Sequence, residues 1–361
     1  MNILILTRYN NDGGVVTHVI NLANELTYRG NTVVVAAPYD SKGLKGRYDR
    51  LECVFIPVDF EGKNFVRIIK LLSGIIKKYG IQIIHSHNRN TSLYAQFFRL
   101  SQGIPFVWTL HQNNIPTRFP YKFLTFPGDR TIAVSNELKE FCVEKLGVAK
   151  NRISIIYNGV HEKEYIRDIE NSGIKRKYGI KPNETVIVLL SRLERRKGHM
   201  MLLNALSQIK EKNTMRVLIT GTDLDDGEYR SELQHFIKDK ELENIVSFVG
   251  YVNPVEILNI SDAMVLPSEQ EGQPIAVTEA FLMKVPVIRT KTGGYEETKD
   301  YCIGINAEEE LAAAIKRVLS EKNGLEQVVN GAYCFAVKNC TVSTMVLNTV
   351  TVYNTVLRLR K

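Results

Sequence analysis

Short apolar runs rich in Val and Ile alternate along the whole chain with longer stretches of helical periodicity. The runs are NILIL, TVVVAA, IQIIH, FVWTL, TIAVS and ISIIY in the first half, and TVIVLL, RVLIT, IVSFVG, AMVLPS and PVIRT in the second. Strands that are apolar on both faces are typical of parallel sheets covered by helices on two sides. The pattern therefore predicts an α/β protein built on parallel sheets.

The stretch between the first two predicted strands has the periodicity of an amphipathic helix. Val15, Val19, Leu22 and Leu26 recur at the spacing of one helix face. The segment Arg29-Gly30-Asn31 follows them and favours a helix end. The chain is therefore expected to begin with a strand, a glycine-containing turn, a helix and a second strand.

A polar and charged segment, residues 161–184, interrupts the alternation near the middle of the chain and contains two glycines and a proline. At 361 residues the chain is long for a single hydrophobic core. We predict two Rossmann-like domains, residues 1–165 and residues 166–341, each with its own parallel sheet.

The last residues, 342–361, are predicted to form a helix that crosses back to the first domain. Its apolar positions fall on one face, as an amphipathic helix requires. They are Val342, Val346, Val350, Tyr353 and Leu357.

Composition narrows the partners and the compartment. The chain has 47 basic and 39 acidic residues, a net charge of +8, which favours phosphorylated small molecules, an anionic membrane surface or nucleic acid. Its five cysteines are scattered without a CxxC pair, so we expect neither a disulfide framework nor a zinc site, and a reducing cytoplasm. The first residues, MNILIL, resemble a strand more than a signal peptide, and no apolar run has the roughly 18 residues of a membrane-spanning helix.

Two charged segments directly follow predicted strands, where ligands collect in doubly wound sheets. In SRLERRKG, residues 191–198, Arg192 and Lys197 could bind a pyrophosphate, whereas Arg195 and Arg196 have the character of a solvated turn. The alternative is that the whole segment is a solvated basic turn.

The second segment is PSEQEGQPIAVTEA, residues 267–280. Glu271 lies in its turn, and Glu279 lies within the helix that follows, among apolar neighbours. A carboxylate near a helix N-terminus can accept hydrogen bonds from sugar hydroxyls. The alternative is one capping carboxylate and one surface carboxylate.

Together these segments resemble the GT-B glycosyltransferases, and among them the retaining, nucleotide-sugar-dependent family 4. SRLERRKG resembles the donor-phosphate motif S-R-x-x-x-x-K-G of that family, and EGQPIAVTE resembles its E-x7-E motif. Further matches are AVSNELKE, IIYNGV and MKVPVIRTKTGGYEE. The resemblance covers nearly the whole chain and implies two Rossmann-like domains that face each other across a cleft.

The resemblance also implies roles for individual residues. Those implied to be catalytic are His111, Arg192, Lys197 and Glu271. Those implied to bind the donor are Gly13, Gly14, Arg192, Lys197, Glu271, Gly272, Gln273, Pro274, Ile275 and Glu279. Pro274 stands where many members of the family have glycine, which removes one N–H from the sugar loop.

Histidines follow two predicted strands of the first domain. His85 and His87 in IIHSHN, with Asn88, are candidates for the acceptor side, and His111 matches a histidine that lines the donor sugar. A lone histidine is more often structural. Several histidines at neighbouring strand ends favour a functional site.

The implied reaction moves a hexose or N-acetylhexosamine from a nucleotide diphosphate sugar, a co-substrate, to a hydroxyl of a glycan, lipid-linked or small-molecule acceptor. Arg192 and Lys197 would stabilise the departing diphosphate, so we expect no metal and no cofactor.

Other function classes remain open from the residues alone. A nicotinamide oxidoreductase would need GxGxxG after the first strand, and LTRYNNDGGVV lacks it. A sugar-nucleotide epimerase of GT-B shape fits the same fold. A nucleic-acid binder is favoured only by the net charge, and no nucleic-acid motif accompanies it.

Residues 64–80, NFVRIIKLLSGIIKKYG, place basic residues around an apolar stripe. One interpretation is a peripheral contact with the anionic inner face of a membrane. The other is an ordinary helix that covers the sheet and has a solvated basic face.

Overall fold

The structure is a computed structural model that describes residues 1–9, 13–39, 48–61, 64–118, 121–168, 172–209, 214–223, 227–320 and 322–359. Its strands are β1 Asn2–Leu6, β2 Thr32–Ala37, β3 Val54–Pro57, β4 Ile83–Ser86, β5 Phe106–Leu110, β6 Arg130–Ala133, β7 Ile153–Ile155, β8 Thr185–Leu189, β9 Met215–Thr220, β10 Val246–Gly250, β11 Ala263–Leu266, β12 Val287–Thr290 and β13 Ile303–Ile305.

The helices alternate with these strands, as the sequence predicts. They are α1 Gly14–Tyr28, α2 Phe65–Tyr79, α3 Arg89–Gln102, α4 Asn136–Glu144, α5 Ser172–Lys177, α6 His199–Ser207, α7 Glu228–Asp239, α8 Pro254–Asn259, α9 Ile275–Leu282, α10 Glu308–Ser320, α11 Glu326–Asn339 and α12 Val342–Arg358. None of the helices in the described parts of the chain is long and apolar enough to span a membrane.

The chain divides into two compact units. Unit 1 is Met1–Gly159 with Cys340–Lys361, and unit 2 is Val160–Asn339. Residues 169–171, within the charged segment near the boundary, lie outside the described residues.

Unit 1 contains a parallel sheet in the order β3-β2-β1-β4-β5-β6-β7. Apolar side chains of α2, α3 and α4, among them Leu72 and Phe98, pack on one face. Those of α1 and α12, among them Leu22 and Tyr353, pack on the other. Because both faces are covered, the strands carry apolar residues on both sides, which is the origin of the Val- and Ile-rich runs.

Unit 2 contains a parallel sheet in the order β10-β9-β8-β11-β12-β13. Helices α6, α7 and α10 cover one face, and α8, α9 and α11 cover the other. Both units therefore have the doubly wound Rossmann-like architecture that the sequence predicts, in which the strand order reverses beside the first strand of the unit.

Two strands were not predicted from the sequence. β3 and β13 are short, and each lies at the edge of its sheet. An edge strand pairs on one side only, so a brief or partly exposed apolar run is enough to form it.

Helix α12 packs on α1 and carries a buried tyrosine into unit 1. The hydroxyl of Tyr353 lies 2.6 Å from Nδ1 of His85, and Tyr353 has no exposed surface. Burial raises the pKa of the Tyr353 phenol, so its hydroxyl remains neutral and keeps its proton for a hydrogen bond.

We predict that Tyr353→Phe lowers the free energy of unfolding of unit 1 by about 1 to 3 kcal/mol, because it leaves the His85 ring nitrogen buried without its partner. Trp108, the only tryptophan and fully buried in unit 1, reports the urea transition by its fluorescence. Tyr28→Phe, at a side chain that is 83% exposed, is the control and should change little. Equal transitions in the two variants would contradict the prediction.

Candidate functional site

The charged loops of unit 2 meet where its strand order reverses. β8 and β11 are neighbours in the sheet. The strands that follow β8 in the chain, β9 and β10, lie on one side of this pair, and those that follow β11, β12 and β13, lie on the other. The segment 191–198 follows β8, and the segment 267–274 follows β11. The structure thus places both segments at the switch point of the sheet, where doubly wound folds bind ligands.

The two loops are in direct backbone contact. Gly198 has φ +74°, and a Cβ atom on it would lie 1.9 Å from the carbonyl oxygen of Pro267. The N–H of Glu269 donates to the carbonyl oxygen of Arg196 at 2.8 Å. Only glycine permits this approach, so the glycine that ends SRLERRKG sets the distance between the loops.

Lys197 and Glu271 form an ion pair across the loops. Nζ of Lys197 lies 2.7 Å from Oε1 of Glu271, and the two side chains are 14% and 8% exposed. An ion pair this well shielded from water is stronger than a surface pair. It holds both predicted site residues in fixed positions.

Arg192 and Arg196 share one carboxylate within the same loop. Nη2 of Arg192 lies 3.2 Å from Oε2 of Glu194, and Nε of Arg196 donates to Oε1. Burial opposes the ionisation of Glu194, but the hydrogen bond and charge of Arg196, with the charges of Arg192 and Lys197, outweigh it and hold its pKa below the usual value. Glu194 is therefore ionised, and its carboxylate orients the guanidinium group of Arg192.

Arg195 points away from these pairs. Its side chain is 59% exposed, forms an ion pair with Glu232 at 2.5 Å and lies 4.9 Å from the ring centre of Tyr229. The structure thus separates Arg195 from Arg192 and Lys197, although all of them lie in one short segment.

Glu279 lies on α9 and is held by a residue that the sequence analysis did not identify. The hydroxyl of Tyr165 donates to Oε1 of Glu279 at 2.7 Å, and Glu279 is buried. Burial raises the pKa of Tyr165, and the charge of Glu279 raises it further. Tyr165 comes from a polar segment without periodicity, so no sequence signal pointed to it.

The predicted sugar loop, Gly272 to Ile275, leads directly from Glu271 into α9. Gly293 lies against this loop, and a Cβ atom on it would lie 2.2 Å from the carbonyl oxygen of Glu271. Pro274 occupies the position before the first turn of α9, where its missing N–H leaves no helical hydrogen bond unmade.

Arg289 supports the turn at Gly293 and was also missed. It is 1% exposed, and its Nη2 donates to the carbonyl oxygens of Gly293 at 2.7 Å and Thr292 at 3.2 Å. Burial lowers the pKa of Arg289, and the charge of Glu271 opposes that shift. An arginine within the apolar run PVIRT, before two glycines, was the signal that could have found it.

The glycine pair of unit 1 begins α1. Gly13 has an extended backbone, and its carbonyl oxygen accepts from the N–H groups of Val16 at 3.0 Å and Thr17 at 3.2 Å. Among the described residues, no side chain makes a capping hydrogen bond to this helix. The first N–H groups of α1, including that of Gly14, are of the kind that binds anions at helix N-termini.

Three histidines of unit 1 form a buried cluster at the ends of β4 and β5 and on α1. Nδ1 of His87 lies 3.0 Å from Nε2 of His111, and the two rings are stacked. The ring of His18 lies edge-on to that of His111, with the ring centroids 4.8 Å apart. Nδ1 of His18 lies 2.9 Å from Oδ1 of Asn158. His18 was missed, because it lies within the apolar face of a helix.

His85 and Asn88 have internal roles beside this cluster. Both ring nitrogens of His85 are engaged, Nδ1 with the Tyr353 hydroxyl and Nε2 with Oγ1 of Thr109 at 2.7 Å, and the residue is fully buried. His85 therefore has no ring nitrogen left for a substrate. Asn88 caps α3, and its Oδ1 accepts from the N–H of Thr91 at 2.9 Å.

The cluster is uncharged at neutral pH. Burial lowers the pKa of His18 to about 4, and the hydrogen bond that its Nδ1 makes to Oδ1 of Asn158 only partly opposes this shift. Burial, followed by repulsion from neighbouring histidines, lowers the pKa of His85, His87 and His111 well below the usual value. Neutral imidazole rings can donate and accept hydrogen bonds but add no charge to the site.

Among the described residues, His18, His87 and His111 are the set that could supply three ligands to a metal ion. Their ligand atoms lie within 4.8 Å of one another. An ion bound there would have to replace the hydrogen bond between His87 and His111.

Two family models match the chain. The model described as Glycosyl transferases group 1 matches residues 170–334, which contain the charged loops of unit 2. The model described as Glycosyltransferase Family 4 matches residues 12–164, which contain the histidine cluster.

Individual proteins resemble the chain over most of its length. UDP-Gal:alpha-D-GlcNAc-diphosphoundecaprenol alpha-1,3-galactosyltransferase of Escherichia coli is 27% identical over 315 residues, which are 78% of this chain and 80% of that protein. A glycosyltransferase structure from Rickettsia africae has a TM-score of 0.87 and 24% identity, covering 99% of this chain and 98% of that one. An Anabaena protein solved with UDP and glucose has a TM-score of 0.85 and 20% identity, covering 98% and 99%.

We predict that unit 1 becomes less stable as the pH falls from 6.5 to 5. The histidines have lower pKa values in the folded state than in the unfolded state, so the unfolded state binds more protons in this range. The free energy of unfolding therefore decreases as the pH decreases. The slope is expected to approach 1.4 kcal/mol per pH unit for each buried histidine. Urea unfolding followed by Trp108 fluorescence measures it.

His18→Gln should reduce the slope of this pH dependence, whereas His235→Gln, at an exposed position in unit 2, should leave it unchanged. If the urea unfolding transition of unit 1 does not depend on pH between 6.5 and 5, the conclusion that these histidines are neutral in the folded state is wrong.

Proposed function

The chain belongs to the GT-B glycosyltransferases of group 1 and family 4 and is a nucleotide-sugar-dependent enzyme, and we propose that it transfers its sugar with retention of configuration. The sugar is a hexose or N-acetylhexosamine, and the acceptor is a hydroxyl of a glycan, a lipid-linked molecule or a small molecule. The observation that carries the proposal is the assembly of Arg192, Lys197 and Glu271 at the switch point of unit 2. The Escherichia coli relative uses UDP-Gal, which favours UDP as the nucleotide.

In this proposal Arg192 and Lys197 bind the diphosphate of the donor. Arg192 is oriented by Glu194, and Lys197 by Glu271, so both cations are in place before the donor binds. A lysine ammonium has three donors and can retain its carboxylate while it contacts a phosphate oxygen. Glu271 and the loop Gly272–Ile275 bind the transferred sugar, and Glu279 binds the ribose.

The reaction needs little from a protein nucleophile. The bond between the anomeric carbon and the diphosphate oxygen breaks, and its electron pair leaves with the diphosphate. The acceptor oxygen bonds to the same face of that carbon, and its proton passes to an oxygen of the departing diphosphate. Arg192 and Lys197 stabilise the negative charge that grows on the leaving group, so the mechanism uses no metal ion.

On the unit 1 side, we propose that Gly13 and Gly14 approach the donor phosphates through the first N–H groups of α1. His111 lines the donor sugar, and His87 and Asn88 lie on the acceptor side. His85 orients His87, because their ring centroids lie 4.2 Å apart and both ring nitrogens of His85 are held by hydrogen bonds within the protein.

We further propose that the enzyme works in the cytoplasm and contacts a membrane through α2 and α3. These helices contain no Asp or Glu, and their rings meet where Phe65 stacks on Tyr94 and lies edge-on to Phe97. Their exposed apolar side chains are Phe65, Val66, Leu71, Leu93, Phe97 and Leu100. An acid-free pair of helices that exposes apolar and basic side chains suits an anionic lipid surface.

We predict that Arg192→Ala and Lys197→Ala each fold normally and lose roughly 10² to 10³ in turnover, about 3 to 4 kcal/mol of transition-state stabilisation. The contact strengthens as charge builds on the diphosphate, so the loss appears in kcat as well as in affinity. Transfer or donor hydrolysis is measured with UDP sugars in excess EDTA, in which the wild-type enzyme is expected to remain active.

The matched control is Arg195→Ala, in the same loop but exposed and paired with Glu232. It should retain nearly full activity. Arg196→Ala is expected to have a small effect through Glu194, which it shares with Arg192. Near-wild-type kinetics in Arg192→Ala or Lys197→Ala, with an unchanged melting temperature, would rule out the proposed diphosphate site.

We predict that changing Lys70, Lys77 and Lys78 to Glu weakens binding to vesicles that contain anionic lipid, by about 1 kcal/mol per charge near the surface. The same change at three exposed lysines elsewhere, Lys145, Lys150 and Lys163, gives the matched control. Co-sedimentation at low and high salt measures the binding. If the two triple variants bind alike, or the wild type prefers neutral vesicles, α2 is an ordinary surface helix.

A further inference from the structure

A pocket of about 260 Å³ lies within unit 1, at the carboxyl ends of β1, β4 and β5. Its lining includes Arg8, His87, Asn88, Arg89, Trp108 and His111. β1 and β4 are the neighbours at which the strand order of unit 1 reverses. The pocket therefore occupies the switch point of this sheet, as the charged loops do in unit 2.

The pocket contains buried donors without acceptors. Oδ1 of Asn88 accepts from both the N–H and the hydroxyl of Thr91 at 2.9 Å, which fixes the orientation of the amide. Its Nδ2 has no partner within the described residues, and neither has Nε1 of Trp108, and both atoms are buried. An amide NH2 and an indole N–H can only donate. A buried donor that is left unpaired destabilises the protein, so an acceptor is expected in the pocket.

The charged residues of the pocket are both cations. Arg8 and Arg89 line it, and no Asp or Glu is among the described residues of its lining. Nη1 of Arg8 lies 3.2 Å from Glu61, but that carboxylate is 62% exposed, and a surface pair of this kind contributes little. Arg89 begins the 14-residue helix α3, whose N-terminus adds further positive potential.

The histidines of the pocket do not change this balance. His87 and His111 are held neutral by burial, so they can bond to a ligand without adding charge. Two guanidinium groups and two unpaired N–H donors match the several oxygens and double charge of a phosphate better than a neutral sugar hydroxyl or a single carboxylate.

We propose that the acceptor is a phosphorylated molecule whose phosphate or diphosphate group binds in this pocket, held by Arg8, Asn88, Arg89 and Trp108. The inference rests on the proposed glycosyl transfer and deepens it by naming the acceptor class. The group can belong to a lipid diphosphate or to a soluble sugar phosphate, since both present the same oxygens.

The only tryptophan of the chain lines the pocket, so its fluorescence reports ligands there rather than in unit 2. The full chain, saturated with UDP to occupy the donor site, is titrated with glucose 1-phosphate, geranyl diphosphate and methyl glucoside. We expect both phosphorylated probes to change the emission of Trp108 and methyl glucoside not to. Tighter binding of geranyl diphosphate would identify the lipid source, and tighter binding of glucose 1-phosphate the soluble one.

Arg8→Gln with Arg89→Gln is expected to weaken phosphate binding at least 10-fold without changing the affinity for UDP. Arg8→Gln alone, at a side chain that is 41% exposed, should weaken it in the same direction if the double variant is unstable. Arg50→Gln, an exposed arginine of unit 1 outside the pocket lining, is the control.

Equal phosphate binding in wild type and arginine variants, or no binding to the wild type while UDP binds, would overturn the proposal and leave glycosyl transfer intact. The proposed function fails in a different way, by the loss of UDP-sugar binding and turnover. The titrations are also run without UDP, so the pocket is judged in either case.

Discussion

The backbone contact between Gly198 and Pro267 determines the geometry of the charged site in unit 2. It brings the loop after β8 against the loop after β11 at a distance that no residue with a Cβ atom allows. Lys197 precedes that glycine and Glu271 lies beyond that proline, so their 2.7 Å ion pair depends on the same contact. A side chain at position 198 would separate the loops and the ions together.

The two units use the same strand order around the switch point to build cationic sites that differ in how their charges are paired. In unit 2 each of Arg192, Arg196 and Lys197 has a carboxylate partner, so the cations can be partly buried without a ligand. In unit 1 the pocket at the switch point is lined by two arginines, by neutral histidines and by the unpaired donors of Asn88 and Trp108, and the part of its lining that the structure describes includes no Asp or Glu. The first site has carboxylates within its own loops, whereas the unpaired donors of Asn88 and Trp108 in the second would be satisfied by the acceptor atoms of the proposed ligand.

The sequence predicted the parallel α/β architecture because buried strands must be apolar on both faces, and this requirement is local. β3 and β13 were not predicted, because a strand at the edge of a sheet does not need a long apolar run on both faces. The contacts between site residues could not be predicted in the same way. Tyr165 meets Glu279, and His18 meets His111, only because of helix packing and strand order, which no short segment encodes.

The carboxylates of unit 2 would have two opposing effects on the diphosphate in the proposed donor site. Glu194 and Glu271 reduce the positive potential, leaving three cations against two anions among Arg192, Arg196, Lys197 and these acids. They also hold the cations where charge develops, so that little side-chain entropy is lost and little rearrangement is needed on binding. Because preorganised charges act most strongly on the state with the greatest charge, the remaining positive potential would stabilise the departing diphosphate of the proposed reaction more than the intact donor.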